Sequence, residues 1–323
     1  MTLLLTGSDV ARLLPMDRCI EAVEHAFRTL AAGKLPPPGV LATHVEGGGF
    51  HVKAAVLDGC YAAKINANFP ANPERGLPTI QGVVLLSDAV DGRPLAIMDS
   101  IEITARRTAA ATALAARHLA RADARTATII GCGRQAASQI EALMAVRPLT
   151  RLYAIDSVRE RSERLAREMA GRFGVAAIAA SDKHEALADS LICITCTSSR
   201  RPVLELSDVR PGTFVAAVGA DNPDKSEIAP PLMAEAKVVA DVLEQAAAIG
   251  DLRHAIAARA MTISDVHAEL ADVLSGRRPG RDSVDDITIF DSTGTAIQDV
   301  AAAALVYRRA AADGAARSVT IAA

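Results

Sequence analysis

Tryptophan is absent from this chain, and aromatic residues make up only 3% of it. Platforms that stack nucleic-acid bases therefore have little material. There is no basic excess either: 35 Lys and Arg stand against 38 Asp and Glu, a net charge of −3. Binding to nucleic acid through bulk charge is thereby disfavoured. No apolar run approaches the roughly 18 residues of a transmembrane helix. The opening Met1-Thr2-Leu3-Leu4-Leu5-Thr6-Gly7 has no basic region and reads as a strand, not a signal peptide. The five cysteines, Cys19, Cys60, Cys132, Cys193 and Cys196, are an odd set in a chain of 323 residues, long enough to fold without cross-links. A disulfide framework is not expected. These absences predict a cytoplasmic protein with no nucleic-acid or membrane partner.

What is present is apolar aliphatic material. Half the residues are hydrophobic and 23% are charged, the composition of a globular protein with an Ala, Val, Leu and Ile core. At about 150 residues per domain, the length suggests two domains. Residues 9–32 carry apolar positions at helical spacing, split by Pro15 into two helices. From 40 to 99 the pattern becomes strand-like, with segments at 51–56, 61–67 and 79–86 and a hairpin signal at Asp91-Gly92. Thr104 is placed to cap a long helix reaching about Leu119. A rhythm of strand and helix then begins. Strands are expected at 126–130, 152–155, 175–180, 191–195, 214–218 and 238–242, with a last one at 287–290 and an alanine-rich helix over 295–311. This alternation predicts an α/β fold with a doubly wound parallel sheet.

Gly131-Cys132-Gly133-Arg134-Gln135-Ala136 follows one of those strands and opens a helix. It is a GxGxxA variant of the dinucleotide fingerprint. Gly131 makes the tight turn, Gly133 lets backbone approach a pyrophosphate, and Ala136 lets helix and strand pack closely. Asp156 ends the next strand, 25 residues after Gly131, where it would accept from ribose hydroxyls and repel a 2′-phosphate. NAD is therefore expected over NADP, although Arg159 and Arg161 lie close by. A helix N-cap is the plainer alternative for Asp156. Cys193-Ile194-Thr195-Cys196 is formally CxxC, but residues three apart on a strand face opposite ways, and no second Cys pair or His cluster accompanies it. No metal site is expected.

Lys64 lies inside an apolar strand pattern, where an unused charge is costly. Lys53 has the same character. Arg106 and Arg107 begin the long helix, and adjacent helical residues diverge by about 100°, so only one faces a given site. These cations, with few acids nearby in sequence, suggest an anionic ligand such as a carboxylate. Solvated edge lysines are the alternative. Asp221, after the strand ending at Val218, sits where ligands bind in such sheets and is a candidate proton donor or acceptor. An Asx-turn before Pro223 is the alternative.

Together these motifs resemble the ornithine cyclodeaminase/mu-crystallin family. The resemblance is carried by Lys64, Arg75-Gly76-Leu77-Pro78-Thr79, residues 95–99, Thr104-Ala105-Arg106-Arg107-Thr108-Ala109-Ala110, residues 131–135, residues 218–221, Asp291-Ser292-Thr293-Gly294 and Asp299. It implies a substrate-binding and dimerisation domain over residues 1–115 with 296–323, and a Rossmann domain over 116–295. It implies a homodimer and an NAD(P)-dependent enzyme that interconverts amino acids and imines. By position, Lys64 matches the family's substrate-carboxylate lysine, Arg107 an arginine shared between the substrate and nicotinamide sides, Thr293 a substrate-lining residue, and Asp221 the catalytic aspartate. Thr79, Arg107, Thr108, Gly131, Gly133, Arg134, Gln135, Asp156, Thr197, Val218, Gly219, Ala220, Lys225 and Ser292 match cofactor contacts. The family's arginine after the proline-rich turn is missing from Pro37-Pro38-Gly39-Val40, and Lys53-Ala54-Ala55 stands where many members carry Met-Pro-Ala. Lys53 is expected to replace the missing cation.

The expected reaction is hydride transfer at a carbon bearing nitrogen, with Lys64 and Arg107 fixing an α-carboxylate and Asp221 handling the nitrogen's proton. The expected substrate is a small 2-imino acid, such as the cyclic ketimine 1-pyrroline-2-carboxylate. The alternatives are an ornithine cyclodeaminase that recycles NAD, and a non-catalytic, crystallin-like cofactor binder.

Overall fold

The computed structural model describes residues 1–321. The chain opens with β1 (Thr2–Leu5), α1 (Gly7–Leu13) and α2 (Met16–Ala31). Pro15, extended at the start of α2, separates the two helices as its missing N–H requires. Then come β2 (Gly39–Val45), β3 (Gly48–Leu57), β4 (Cys60–Asn68), β5 (Ile80–Asp88) and β6 (Pro94–Asp99), an antiparallel meander. Helix α3 (Ser100–Leu119) begins four residues before the expected cap at Thr104. The reason is Asp99, whose carboxylate accepts from Glu102 N at 2.7 Å and takes the capping role.

Next are β7 (Thr126–Ile130), α4 (Ala136–Val146), β8 (Arg151–Ile155), α5 (Arg159–Phe173), β9 (Ala176–Ala179) and α6 (Lys183–Asp189). They are followed by β10 (Ile192–Thr195), β11 (Arg200–Leu204), β12 (Phe214–Ala217), β13 (Ser226–Ile228), α7 (Pro230–Glu235), β14 (Lys237–Ala240), α8 (Leu243–Ile249) and α9 (Asp251–Ala257). The last elements are β15 (Ala268–Glu269), α10 (Leu270–Ser275), β16 (Thr288–Asp291), α11 (Ala296–Asp313) and β17 (Arg317–Val319).

Contacts divide the chain into two units: Met1–Arg107 with the segment from Thr295 onward, and Thr108–Gly294. The first unit holds a seven-stranded sheet in the order β17-β1-β6-β5-β4-β3-β2. Helix α11 packs on β3 and β4 and against α2, so one sheet face is covered. Strand alternation then sorts side chains between the faces. Lys53, Lys64, Val84 and Met98 stand opposite one another in one cross-strand row; Leu41, Val52, Ile65 and Val83 form a neighbouring row on the other face.

The second unit holds an eight-stranded sheet in the order β15-β14-β16-β12-β10-β7-β8-β9. Each of its pairings is parallel. The chain runs from β7 outward to β9, then returns to the other side of β7 at β10. That reversal puts a crevice at the carboxyl ends of β7 and β10, where ligands bind in such sheets. Ile130, Cys193, Val215, Val238 and Ile289 make its core. The strand at 287–290 is β16, last of this sheet in sequence but lying between β12 and β14 in space. Strands β11, β13 and β15 and helices α7 to α10 carry no clear periodicity and were not foreseen. Nor was β17, whose residues are all exposed and which pairs only with β1 among the described residues.

Candidate functional site

In the first unit the buried cations share one acid. Lys64, in β4, is 4% exposed, as is Arg107 in α3. Asp299, on the face of α11 that covers β3 and β4, lies 2.9 Å from Lys64 Nζ through either carboxylate oxygen. Arg107 Nε donates to the same carboxylate at 2.8 Å, and its Nη1 donates to Gln298 Oε1 at 2.9 Å. Arg106 turns away, to Glu102 at 2.7 Å and Leu14 O at 3.0 Å. The expectation of few acids near the cations is therefore corrected: Asp299 is distant in sequence and invisible to local patterning. Two cations share that one carboxylate, and Lys53 stands beside Lys64 in the same row.

Burial pushes the Lys64 ammonium down most, the Arg107 charge adds to this, and Asp299 opposes both; the outcome is about 7. Burial would raise the Asp299 carboxyl, but the Arg107 and Lys64 charges reverse that and hold it below the usual carboxylate range. Gln298 Nε2 is buried with no hydrogen-bond partner among the described residues. Thr79, just before β5, accepts from Phe69 N through its carbonyl at 2.8 Å.

In the second unit the glycine turn lies at the crevice. Gly131 has φ +98°, and a Cβ there would come within 2.9 Å of Cys196 O, so only glycine fits. A Cβ on Gly133 would meet open space. Gln135 precedes α4, and its Oε1 is a buried acceptor with no partner among the described residues. Arg134 is exposed. Asp156 accepts from Cys132 N at 2.7 Å and from Val158 N at 2.8 Å. It braces the glycine turn against the end of β8, while Val158 occupies the N-cap position of α5 without a side-chain cap bond. Of its neighbours, Arg159 pairs with Glu163 at 2.8 Å and Arg161 is exposed. The buried Gln135 acceptor without a partner among the described residues, the exposed Arg134 and the α4 N-terminus without a side-chain cap fit a dinucleotide.

The CxxC pair divides as strand geometry requires. Cys193 is in the core, and Cys196, beyond the strand's end, donates to Gly131 O at 3.0 Å. Burial pushes both thiols well up.

Thr197 N donates to Glu227 at 2.6 Å, and Val218 N to Thr195 O at 2.9 Å. Gly219 and Ala220 are buried. Asp221, about half exposed, accepts from Lys225 Nζ at 2.8 Å. The Asx-turn of this loop is made by Asn222, which accepts from Asp224 N. Ser292 Oγ is buried without a partner among the described residues. The Thr293 hydroxyl donates to Asp241 at 2.8 Å and accepts from Gln245 at 2.7 Å. Thr108 is buried near the start of this unit.

Sequence reasoning missed the buried acids Glu227, Asp241 and Asp251, all 0% exposed. A lone acid at the end of an apolar segment, as in Val238-Val239-Ala240-Asp241, was an available signal for Asp241, whereas Glu227 follows the polar run Asp224-Lys225-Ser226 and carried none. An open apolar groove of about 910 Å³, bordered by Leu243, Ile256, Met261 and Val266, contains none of the expected residues. Its Thr262 and Asp265 bond to each other.

Residues 1–314 match the Ornithine cyclodeaminase/mu-crystallin family. The chain is 39% identical over 309 residues to an alanine dehydrogenase of Archaeoglobus fulgidus, covering 96% of this chain and 95% of that one. An archaeal alanine dehydrogenase dimer with bound NAD superposes with a TM-score of 0.95 at 37% identity, over 99% of each chain. The Thermococcus litoralis Delta(1)-pyrroline-2-carboxylate reductase, in complex with NADH and L-proline, superposes with a TM-score of 0.94 at 32% identity, over 98% of this chain and 100% of that one. The two-unit architecture, the glycine turn at the crevice and this end-to-end likeness agree: the chain belongs to the ornithine cyclodeaminase/mu-crystallin family.

Proposed function

We propose that this protein is an NAD-dependent oxidoreductase of C–N bonds, interconverting a small 2-imino acid and its amino acid. The observation that carries the reading is the pair of buried cations on one carboxylate, which keeps surplus positive charge in a dry place. Lys64 and Arg107 hold the substrate's α-carboxylate, and Lys53 adds to the field. The guanidinium is aimed by Asp299 and Gln298, so its remaining N–H groups are fixed before the ligand arrives. Asp221, steadied by Lys225, gives or takes the proton at the substrate nitrogen. Thr293 lines the substrate.

Bound NAD(H) supplies or accepts the hydride. Gly131, Gly133, Arg134 and Gln135 would hold its phosphates, and Asp156 its ribose; the spare lone pairs of Asp156 suit hydroxyls and its charge disfavours NADP. Thr79, Arg107, Thr108, Thr197, Val218, Gly219, Ala220, Lys225 and Ser292 complete the cofactor contacts. A cyclic ketimine such as 1-pyrroline-2-carboxylate is the proposed substrate, supported by the proline-bound relative.

The test follows NADH absorbance with several 2-imino and amino acids while ammonia is measured in parallel. Stoichiometric NADH loss with an imino acid is the expected result. Ammonia release from ornithine with NAD unchanged overall would make the protein a cyclodeaminase instead. Tight NADH binding with no turnover would make it a non-catalytic binder.

We also propose a homodimer. The uncovered sheet face presents Leu41 at 62%, Ile65 at 39% and Val83 at 41% exposure, in one row with Val52. A contiguous apolar patch of this kind suits a second copy. A cytoplasmic setting is consistent with the five free cysteines.

A further inference from the structure

We propose that Glu227 is a positioning residue: it locks the loop after β10 to the loop after β12, and thereby fixes the cofactor-facing backbone and the approach to Asp221. The inference rests on the functional reading above, because it assigns those loops to cofactor and proton transfer.

The geometry converges on one side chain. Glu227 Oε1 accepts from Thr197 N at 2.6 Å. Its Oε2 accepts from Gly219 N at 2.6 Å and from the Thr195 hydroxyl at 2.7 Å. The donors come from two adjacent parallel strands, at the carboxyl ends that form the crevice. A Cβ at Gly219 would lie 2.4 Å from Thr197 O and 2.5 Å from the Glu227 carboxyl group. The two loops and the acid are thus packed with no room for even one methyl group. Thr197 also abuts Gly131, its Cγ2 lying 2.9 Å from where a Cβ on that glycine would be. Glu227 therefore steadies the glycine turn at one remove.

Glu227 is itself held from behind. Asp251, the first residue of α9, accepts from Glu227 N at 2.8 Å and from Ile228 N at 3.1 Å. Asp291, at the end of β16, accepts from Leu252 N at 2.9 Å. Buried carboxylates thus link the end of β16, next to Ser292, through α9 and β13 to the two loops. A fully buried acid with no cation among its hydrogen-bond partners is an expensive way to fill a core. Two backbone N–H groups from separate strands give it a reason that an apolar residue could not supply. Burial raises the Glu227 carboxyl and these hydrogen bonds oppose the rise.

The test is Glu227→Gln, which keeps the volume but turns one oxygen into a donor. That donor must face either the Thr197 or the Gly219 N–H, so one tie is lost. NADH affinity, read by fluorescence titration, should weaken roughly 10- to 100-fold, the usual effect of an unmet charge-assisted hydrogen bond. The KM for the imino acid at saturating NADH should stay near wild type, because Lys64 and Arg107 are untouched. Thr195→Val, which keeps both backbone ties, should weaken NADH by less. Equal NADH affinity and kcat in folded Glu227→Gln and wild type would overturn the proposal. Should Glu227→Gln not fold, amide exchange in the wild type decides: slow exchange at Thr197 and Gly219 supports the lock, and fast exchange at both overturns it. Failure of the wild type to bind NADH defeats the functional reading instead, and exchange at those two amides still judges the lock.

Discussion

Lys64 and Asp299 meet at 2.9 Å across the 235 residues that separate them in the chain. Both are almost fully enclosed, at 5% and 1% side-chain exposure, and Arg107 bonds to the same carboxylate. A buried pair of this kind loses much when one partner is removed, because the other charge is stranded. Asp299→Asn should therefore destabilise the protein by about 3 kcal/mol, measured by denaturant unfolding. The sign with pH follows from its lowered carboxyl: the stabilisation is present above the ordinary aspartate range and fades as pH falls through the lower folded value.

The same pair sets a pH limb for activity. Lys64 must carry its proton to hold a carboxylate, and in the free protein it gives that proton up at about pH 7. The kcat/KM for an imino acid should decline as pH rises through that value. Asp299→Asn removes the group that raises Lys64, so its limb should move to lower pH. An unmoved limb would detach Lys64 from substrate binding. For stability the sign is opposite: between pH 7 and the ordinary lysine value the unfolded chain holds more protons, so the Lys64 contribution grows with pH.

Lys53 pushes Lys64 down by charge repulsion. Lys53→Met should move the alkaline limb to higher pH. It should also raise substrate KM if Lys53 replaces the arginine absent after Pro38. A KM equal to wild type would remove Lys53 from the carboxylate clamp while leaving its effect on the limb intact.

Asp221 is half exposed, and an asparagine in its place keeps an oxygen to accept from Lys225 Nζ, whose side chain is 17% exposed. Asp221→Asn should lower kcat by roughly 10²- to 10⁴-fold, the usual range for a proton-transfer group. NADH affinity should hold. Turnover within a fewfold of wild type would move the proton-transfer role elsewhere.

Asp156 supports the glycine turn through Cys132 N. Asp156→Ala should raise the KM for NADH about tenfold by loss of charge-assisted hydrogen bonds. It should raise the ratio of NADPH to NADH use, since a phosphate no longer meets a carboxylate. An unchanged ratio would assign selectivity to other residues.

Ile65 and Val83 are opposite one another on the open sheet face. Ile65→Lys with Val83→Lys should convert a dimer to monomers in sedimentation velocity while leaving the melting profile of each unit intact. A persistent dimer would place the interface elsewhere.

Much of the second unit could be read directly from its residues. A parallel strand is buried on both faces, so it appears as an unbroken apolar run, as at Thr126–Ile130 and Phe214–Ala217. Gly131 was legible because only glycine accepts its φ and its closeness to Cys196. Strands β11, β13 and β15 and helices α7 to α10 were not legible, because they are too brief to show a period. The start of α3 was misplaced because Asp99, which caps it, also ends a strand.

The candidate site was half visible. A lysine in an apolar strand announces an unusual use, so Lys64 could be named from its setting, whereas Arg107 was separated from Arg106 only by the family resemblance. Their partner could not, since pairing with Asp299 depends on α11 returning to cover β3 and β4. Glu227 was hidden for the same reason: its donors come from loops made adjacent by the strand order. Local chemistry thus determined which strands form, where the glycine turn lies and which cations are out of place. Only the tertiary structure decided which carboxylates meet those cations and loops, because charges distant in sequence are matched by chain return, which no local pattern encodes.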